Sequence, residues 1–193
     1  MRLNAIYIAE DTAGHGGSLV FPRVSTCVAV VVRLPAELVG WHVTTGTLAT
    51  IESNKNSAQG AAKFIEYAGA VQDTDELYIV GHVGNHDPGA VRDWVNRGLG
   101  VDMAAKAFDV ASHSKAKPGG EYHIFFGHAG GGDPVISFKK SKKTTQGQLV
   151  GGDANAPQGL PDNLGRGYVP VHNRSSSLTV QNVHVLRKHF VNL

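Results

Sequence analysis

Apolar residues fill every position from Val28 to Val32, and most of them are β-branched. Residues 27–33 therefore read as a strand covered on both faces, at the centre of a sheet. Pro35 ends the run, and the pattern restarts at residues 38–44. So short a connection predicts an antiparallel pair. Further strand patterns cover residues 3–8, 76–80, 121–126, 135–138, 168–171 and 178–185.

Three segments carry helical spacing instead. In 58–70, apolar residues recur at Ala61, Ala62, Ile65 and Ala68, and Gly69 stands near the end. Residues 88–97 and 101–112 read as two short helices separated by Gly98-Leu99-Gly100. Asp87 is placed to cap the first of these, with Pro88 at its opening position. Residues 11–18 read as a glycine-rich loop, and Gly130-Gly131-Gly132-Asp133-Pro134 as a hairpin turn. From Lys139, Lys140, Lys142 and Lys143 onward a polar stretch runs to about residue 167. Loops of that length are usually functional or disordered. The order is strands, then strands and helices mixed, then strands again. It predicts an α+β fold, a mixed β-sandwich-like core with flanking helices and long loops, rather than a doubly wound sheet.

The chain of 193 residues is long enough for one domain with a sizeable core, so residues 1–193 are expected to form a single domain. A net charge of +2 is too balanced for nucleic acid or an anionic membrane to be the main partner. One cysteine cannot form an internal disulfide, which suits a reducing compartment. The first ten residues lack the apolar core of a Sec signal, and no apolar run is long enough to span a bilayer. The expectation is a cytoplasmic type of fold, compatible with secretion or injection by a specialised machine. The glycine run at 130–132 lacks the Lys-Ser/Thr of a phosphate loop, and no cofactor is expected.

The single cysteine, Cys27, opens the central strand, and His42 follows fifteen residues later on its neighbour. A thiolate is a strong nucleophile, and a neighbouring imidazole can lower the thiol pKa and shuttle its proton. Backbone N–H groups at Thr26 and Cys27 are candidates to hold an oxyanion. Thr44 and Ser25 are nearby hydroxyls that could orient the histidine. A lone cysteine in an apolar strand also fits an inert core residue, which leaves a non-enzymatic interaction domain as the alternative class.

Ser25-Thr26-Cys27-Val28-Ala29-Val30 followed by Gly40-Trp41-His42 resembles the active-site core of the glutamine deamidase group. That group includes the cytotoxic necrotizing factor catalytic domain, the chemotaxis deamidase CheD and Burkholderia lethal factor. The resemblance covers about residues 18–44. It implies a bacterial toxin or effector that converts glutamine to glutamate in a protein substrate, a host signalling or translation protein. Cys27 would be the nucleophile and His42 the acid and base, with a cysteine hydrolase or transglutaminase as the related chemistry. Some members orient the histidine with a threonine six residues before the cysteine, where this chain has Phe21; others use a backbone carbonyl.

A second cluster, His82, Asn85, His86 and Asp87, follows the strand at 76–80. Gly84-Asn85-His86-Asp87 resembles the Gly-Asn-His element of calcineurin-like metallophosphoesterases. The Asp-x-His and Gly-Asp-x-x-Asp elements of that family are missing, so no metal ligands are assigned, and a metal-dependent phosphoesterase around His82, Asn85 and His86 stays as a further alternative. The other reading of these residues is a turn leading into the helix capped by Asp87. His123 and His128, beside strand aromatics, read as structural or surface residues.

Overall fold

The computed structural model describes residues 6–46, 48, 55–114, 116–117 and 119–140, together with the strand backbone of 168–170, 184–185 and 191–192. Twelve strands and two α-helices are found among these residues. The strands are β1 (Ile6–Ile8), β2 (Ala13–Gly16), β3 (Ser18–Val24), β4 (Val28–Arg33), β5 (Leu38–Val43), β6 (Glu76–Gly81), β7 (Ala105–Asp109), β8 (Tyr122–Gly127), β9 (Val135–Lys140), β10 (Tyr168–Pro170), β11 (His184–Val185) and β12 (Val191–Asn192). The helices are α1 (Lys55–Tyr67) and α2 (Pro88–Leu99). The fold is α+β. One sheet runs β10-β1-β3-β8-β9-β11 and the other β12-β7-β6-β4-β5-β2. Among the described residues no helix is long and apolar enough to cross a membrane.

The continuous apolar run at 28–32 has a simple cause. β4 lies between β5 and β6, antiparallel to both. Its odd positions Ala29 and Val31 point between the two sheets, against Leu19, Phe21, Ile124 and Phe126 of the first sheet. Its even positions Val28, Val30 and Val32 point the other way, into a second core closed by Ala61 and Phe64 of α1 and Val91 and Val95 of α2. The layers are therefore sheet, sheet and helices, and a strand in the middle layer has no face left for water. Trp41 continues the outer core, its ring centroid 5.1 Å from that of Trp94 with the planes tilted by 42°.

Residues 19–24, given no element by the sequence, belong to β3, and two further segments depart from the sequence expectation. Residues 13–16, read as loop, form β2, paired with β5 from Ala13↔Trp41 to Gly16↔Leu38. Glycines supply no side-chain alternation, so a strand built on them carries no periodic signal. Residues 101–112, read as helix, hold β7 and a short 3-10 turn at Val110–Ser112. Ala105 and Ala107 face α2 while Phe108 faces the other sheet. The alanines suggest a helix by propensity, but Ala105 and Ala107 pack into one core and Phe108 into the other, as alternating strand positions do. β6 and β7 are parallel, with α2 as the crossover between them. Asp87 caps α2 as expected, its carboxylate accepting from the Ala90 N–H at 3.1 Å.

The far end of the second sheet is held by charge. Glu76 accepts from Arg33 at 3.1 Å and from Lys106 at 2.8 Å, and Lys106 reaches Asp133 in the β8–β9 turn at 3.0 Å. The Tyr78 hydroxyl bonds both Glu76 and Asp133. The near end, where β4 begins and β5 and β6 finish, carries the candidate chemistry.

The two sheets approach closely at Gly40. A Cβ there would stand 2.6 Å from Phe21 Cζ and 2.8 Å from both Ile8 Cδ1 and Leu19 Cδ1. Gly40→Ala is expected to destabilise the protein by about 1–3 kcal/mol through overpacking. Urea denaturation reads this directly, and an unchanged midpoint would show that the sheets have slack there.

Candidate active site

Cys27 and His42 come to the same end of the second sheet and to the same face. His42 lies opposite Ala29 in the β4–β5 ladder. Cys27 precedes Ala29 by two residues, so period two brings it to the inter-sheet side with Ala29 and Val31. The pair are diagonal neighbours, a relation that spans about 7–8 Å between α-carbons. The ladder brings the two residues to one face, two residues out of register, and no hydrogen bond joins Cys27 Sγ to His42 Nε2.

The His42 backbone is pinned first. Its N–H donates to Thr12 O at 3.0 Å, and its carbonyl accepts from Asp11 N at 2.9 Å. Asp11 sits in a left-handed conformation at φ 58°. Its carboxylate accepts from Thr44 Oγ1 at 3.0 Å and Ser57 Oγ at 3.1 Å. Gly60 of α1 lets the helix rest on this turn, because a Cβ there would lie 2.0 Å from Asp11 O.

The ring is pinned next. Nδ1 of His42 is 3.0 Å from the carbonyl oxygen of Ile8. A carbonyl only accepts, so Nδ1 carries the proton and Nε2 presents a lone pair. Nε2 is buried and has no hydrogen-bond partner. Phe21 packs its edge against the imidazole, with ring centroids 5.9 Å apart at 77°. The residue six positions before the cysteine does therefore touch the histidine, but as an apolar wall. The orienting hydrogen bond comes from Ile8. Thr44 serves Asp11, and half-buried Ser25 holds neither ring nitrogen of His42.

Cys27 is 3% exposed. Its carbonyl accepts from the His82 N–H at 3.0 Å, which fixes the first peptide of the strand. Gly81 makes room for this, since a Cβ there would stand 2.5 Å from Cys27 O. Burial pushes the thiol pKa up, and the Glu10 carboxylate adds to the rise. The Thr26 hydroxyl, 4.0 Å from Sγ, and the Thr26 backbone pull it down by less. His42 moves the other way: burial pushes its imidazole down to about 4, against the opposing pull of the Ile8 carbonyl and Asp11.

These directions correct one expectation. An imidazolium lowers a neighbouring thiol pKa only while it is charged, and His42 is neutral at pH 7. The resting pair is a thiol and a neutral imidazole, not a thiolate and an imidazolium. Alkylation of native Cys27 by iodoacetamide is expected to stay slow at neutral pH and to climb only above pH 9, the ordinary thiol value. A reaction already at its plateau well below pH 9 would contradict this.

His82 and His86 are directed at backbone carbonyls. His82 Nε2 donates to Gly120 O at 2.9 Å and His86 Nε2 to Thr26 O at 2.9 Å. Among the described residues no three metal-ligating side chains come together. The Gly-Asn-His element occupies the short 3-10 turn Val83–Asn85 that leads into α2. His123, read as structural or surface, is fully buried with Nε2 unpartnered.

Sequence reasoning missed Ile8, because a backbone carbonyl leaves no residue signature. It weighed His86 only as part of a turn or a phosphoesterase element, and Thr45 only as a hydroxyl near the histidine; neither was linked to the Thr26 carbonyl. No protein-family model matches the chain, and no curated protein matches it.

Proposed function

We infer that the protein is a cysteine-dependent amidase, with protein glutamine as its substrate and glutamate as its product. One observation carries this reading. His42 is locked through Nδ1 on Ile8 O, and its free Nε2 sits on the same inner face as Cys27. An imidazole held by one nitrogen with the other unused is the arrangement a general base needs.

The chemistry follows from that arrangement. Nε2 takes the thiol proton as Sγ attacks the side-chain carbonyl carbon, and the carbonyl oxygen becomes an oxyanion. The Thr26 and Cys27 N–H groups are the donors assigned to it. Collapse of the intermediate returns the proton from His42 to the departing nitrogen and releases ammonia, leaving a thioester on Cys27. His42 then takes a proton from water, hydroxide attacks the thioester, and glutamate leaves with the thiol restored. Neutral starting groups suit this route, since the base must be uncharged to act.

The glutamine side chain is long and unbranched up to its amide, which suits a nucleophile set below the surface. Glu10 and Asp11, whose charges oppose a thiolate on Cys27, also oppose a carboxylate there. They would hasten departure of the acidic product. The α+β sandwich with a cysteine opening its central strand supports a deamidase-toxin type of fold. A toxin or effector acting on a host signalling or translation protein is the setting the reading implies.

One observation favours a second reading. Cys27 packs among core residues at 3% exposure, as it would in a non-enzymatic interaction domain. The test that separates the two treats cell extract with wild type and with Cys27→Ser and compares the proteins by mass spectrometry. Glutamine-to-glutamate conversion by wild type alone supports the amidase. Identical extracts leave the interaction domain.

A further inference from the structure

The peptide that joins Thr26 to Cys27 is held from its carbonyl side by two donors. His86 Nε2 lies 2.9 Å from Thr26 O, and Thr45 Oγ1 lies 3.0 Å from the same oxygen. A carbonyl has two lone pairs, so this one is filled. The donors come from different elements. Thr45 stands in the turn after β5, and His86 stands between a 3-10 turn and the Asp87 cap of α2. The His86 N–H is itself bonded to Val83 O at 2.9 Å, so the ring is carried on a fixed backbone.

The N–H on the other side of this peptide belongs to Cys27. The peptide is trans, so that N–H points away from the two donors. Hydrogen bonds accepted by a carbonyl draw electron density from the whole amide and make its N–H a stronger donor. They also fix the plane, so the N–H need not reorganise when negative charge develops.

We propose that His86 and Thr45 are positioning residues that polarise and orient the Thr26–Cys27 peptide, making the Cys27 N–H the principal oxyanion donor. The proposal rests on the amidase reading of Cys27. It gives the histidine of the Gly-Asn-His element a role without a metal, and it links the end of β5 and the start of α2 to the reacting atoms.

The test uses the full chain and His86→Ala, His86→Gln, Thr45→Val and Thr45→Ser. In His86→Ala and Thr45→Val, kcat for glutamine conversion is expected to fall about tenfold, less than the roughly 10²–10³ cost of deleting a donor outright. KM should stay within about twofold, because the oxyanion forms only in the transition state. His86→Gln and Thr45→Ser keep a donor and should recover most of the loss. The Cys27 amide proton should move upfield by NMR in the two donor-lacking variants. Alkylation by iodoacetamide forms no oxyanion, so its rate should stay within about twofold of wild type. An unchanged kcat, an unmoved Cys27 amide signal, or an alkylation rate that falls in step with kcat would each overturn the proposal. A moved amide signal in a protein whose wild type converts no glutamine would support the polarised peptide and overturn the amidase reading instead.

Discussion

His42→Ala is expected to lower kcat for glutamine conversion about 10²–10⁴-fold, the range that general acid–base catalysis contributes. The reason lies in the division of labour between the ring nitrogens. Nδ1 is committed to Ile8 O, so only Nε2 can exchange a proton with the substrate. Removing the ring deletes the base for both halves of the reaction. The pH profile gives a sharper reading than the rate alone. With the imidazole pushed down to about 4 by burial, the base stays competent to well below neutrality. The acid limb of kcat/KM in wild type should therefore fall near pH 4 rather than near 6.5. An acid limb centred on 6.5 would mean that His42 is solvated and that its surroundings differ from those described.

Acid should also unfold the protein. His42 and His123 are both pushed down to about 4, each chiefly by burial, from an ordinary 6.5. His123 accepts from the Arg23 N–H at 3.4 Å through Nδ1 and keeps Nε2 buried without a partner. In the unfolded chain both rings titrate near 6.5, so between pH 6.5 and 4 the unfolded state binds protons that the folded state refuses. Stability contributed by each neutral ring is complete above pH 6.5 and is lost as the pH falls toward 4. Each lost contribution is about 3 kcal/mol. The sum, about 6 kcal/mol, is comparable to the whole stability of many domains. Urea midpoints at pH 7.5 and 4.5 test this, with a large drop expected at the lower pH. Equal midpoints would show that the rings are protonated in the folded state or reached by water.

The layered core was legible because its signal is made of side chains. The run from Val28 to Val32 could only be buried on both faces, and Pro35 marked the turn to β5. That was enough to bring Cys27 and His42 to one sheet end. What stayed hidden is made of backbone or of alternation too weak to read. β2 rests on glycines, and β7 on alanines that favour a helix in isolation. The Ile8 carbonyl that orients His42 belongs to a residue whose side chain argues only for a core. The close approach of β1 that delivers it depends on Gly40, a glycine in a strand that reads as neutral until the facing sheet is known. The polarity of the pair was misread for a related reason. Sequence shows a cysteine near a histidine, but the protonation states follow from burial, which depends on every layer around them.

The central claim is that Cys27 and His42 together hydrolyse a side-chain amide through a thioester. The most direct measurement incubates cell extract in heavy-oxygen water with wild type, Cys27→Ser and His42→Ala, and maps converted glutamines by mass spectrometry. Wild type should yield glutamates that carry one heavy oxygen from water, and both variants should yield none above background. The same conversions at the same levels in all three would contradict the claim.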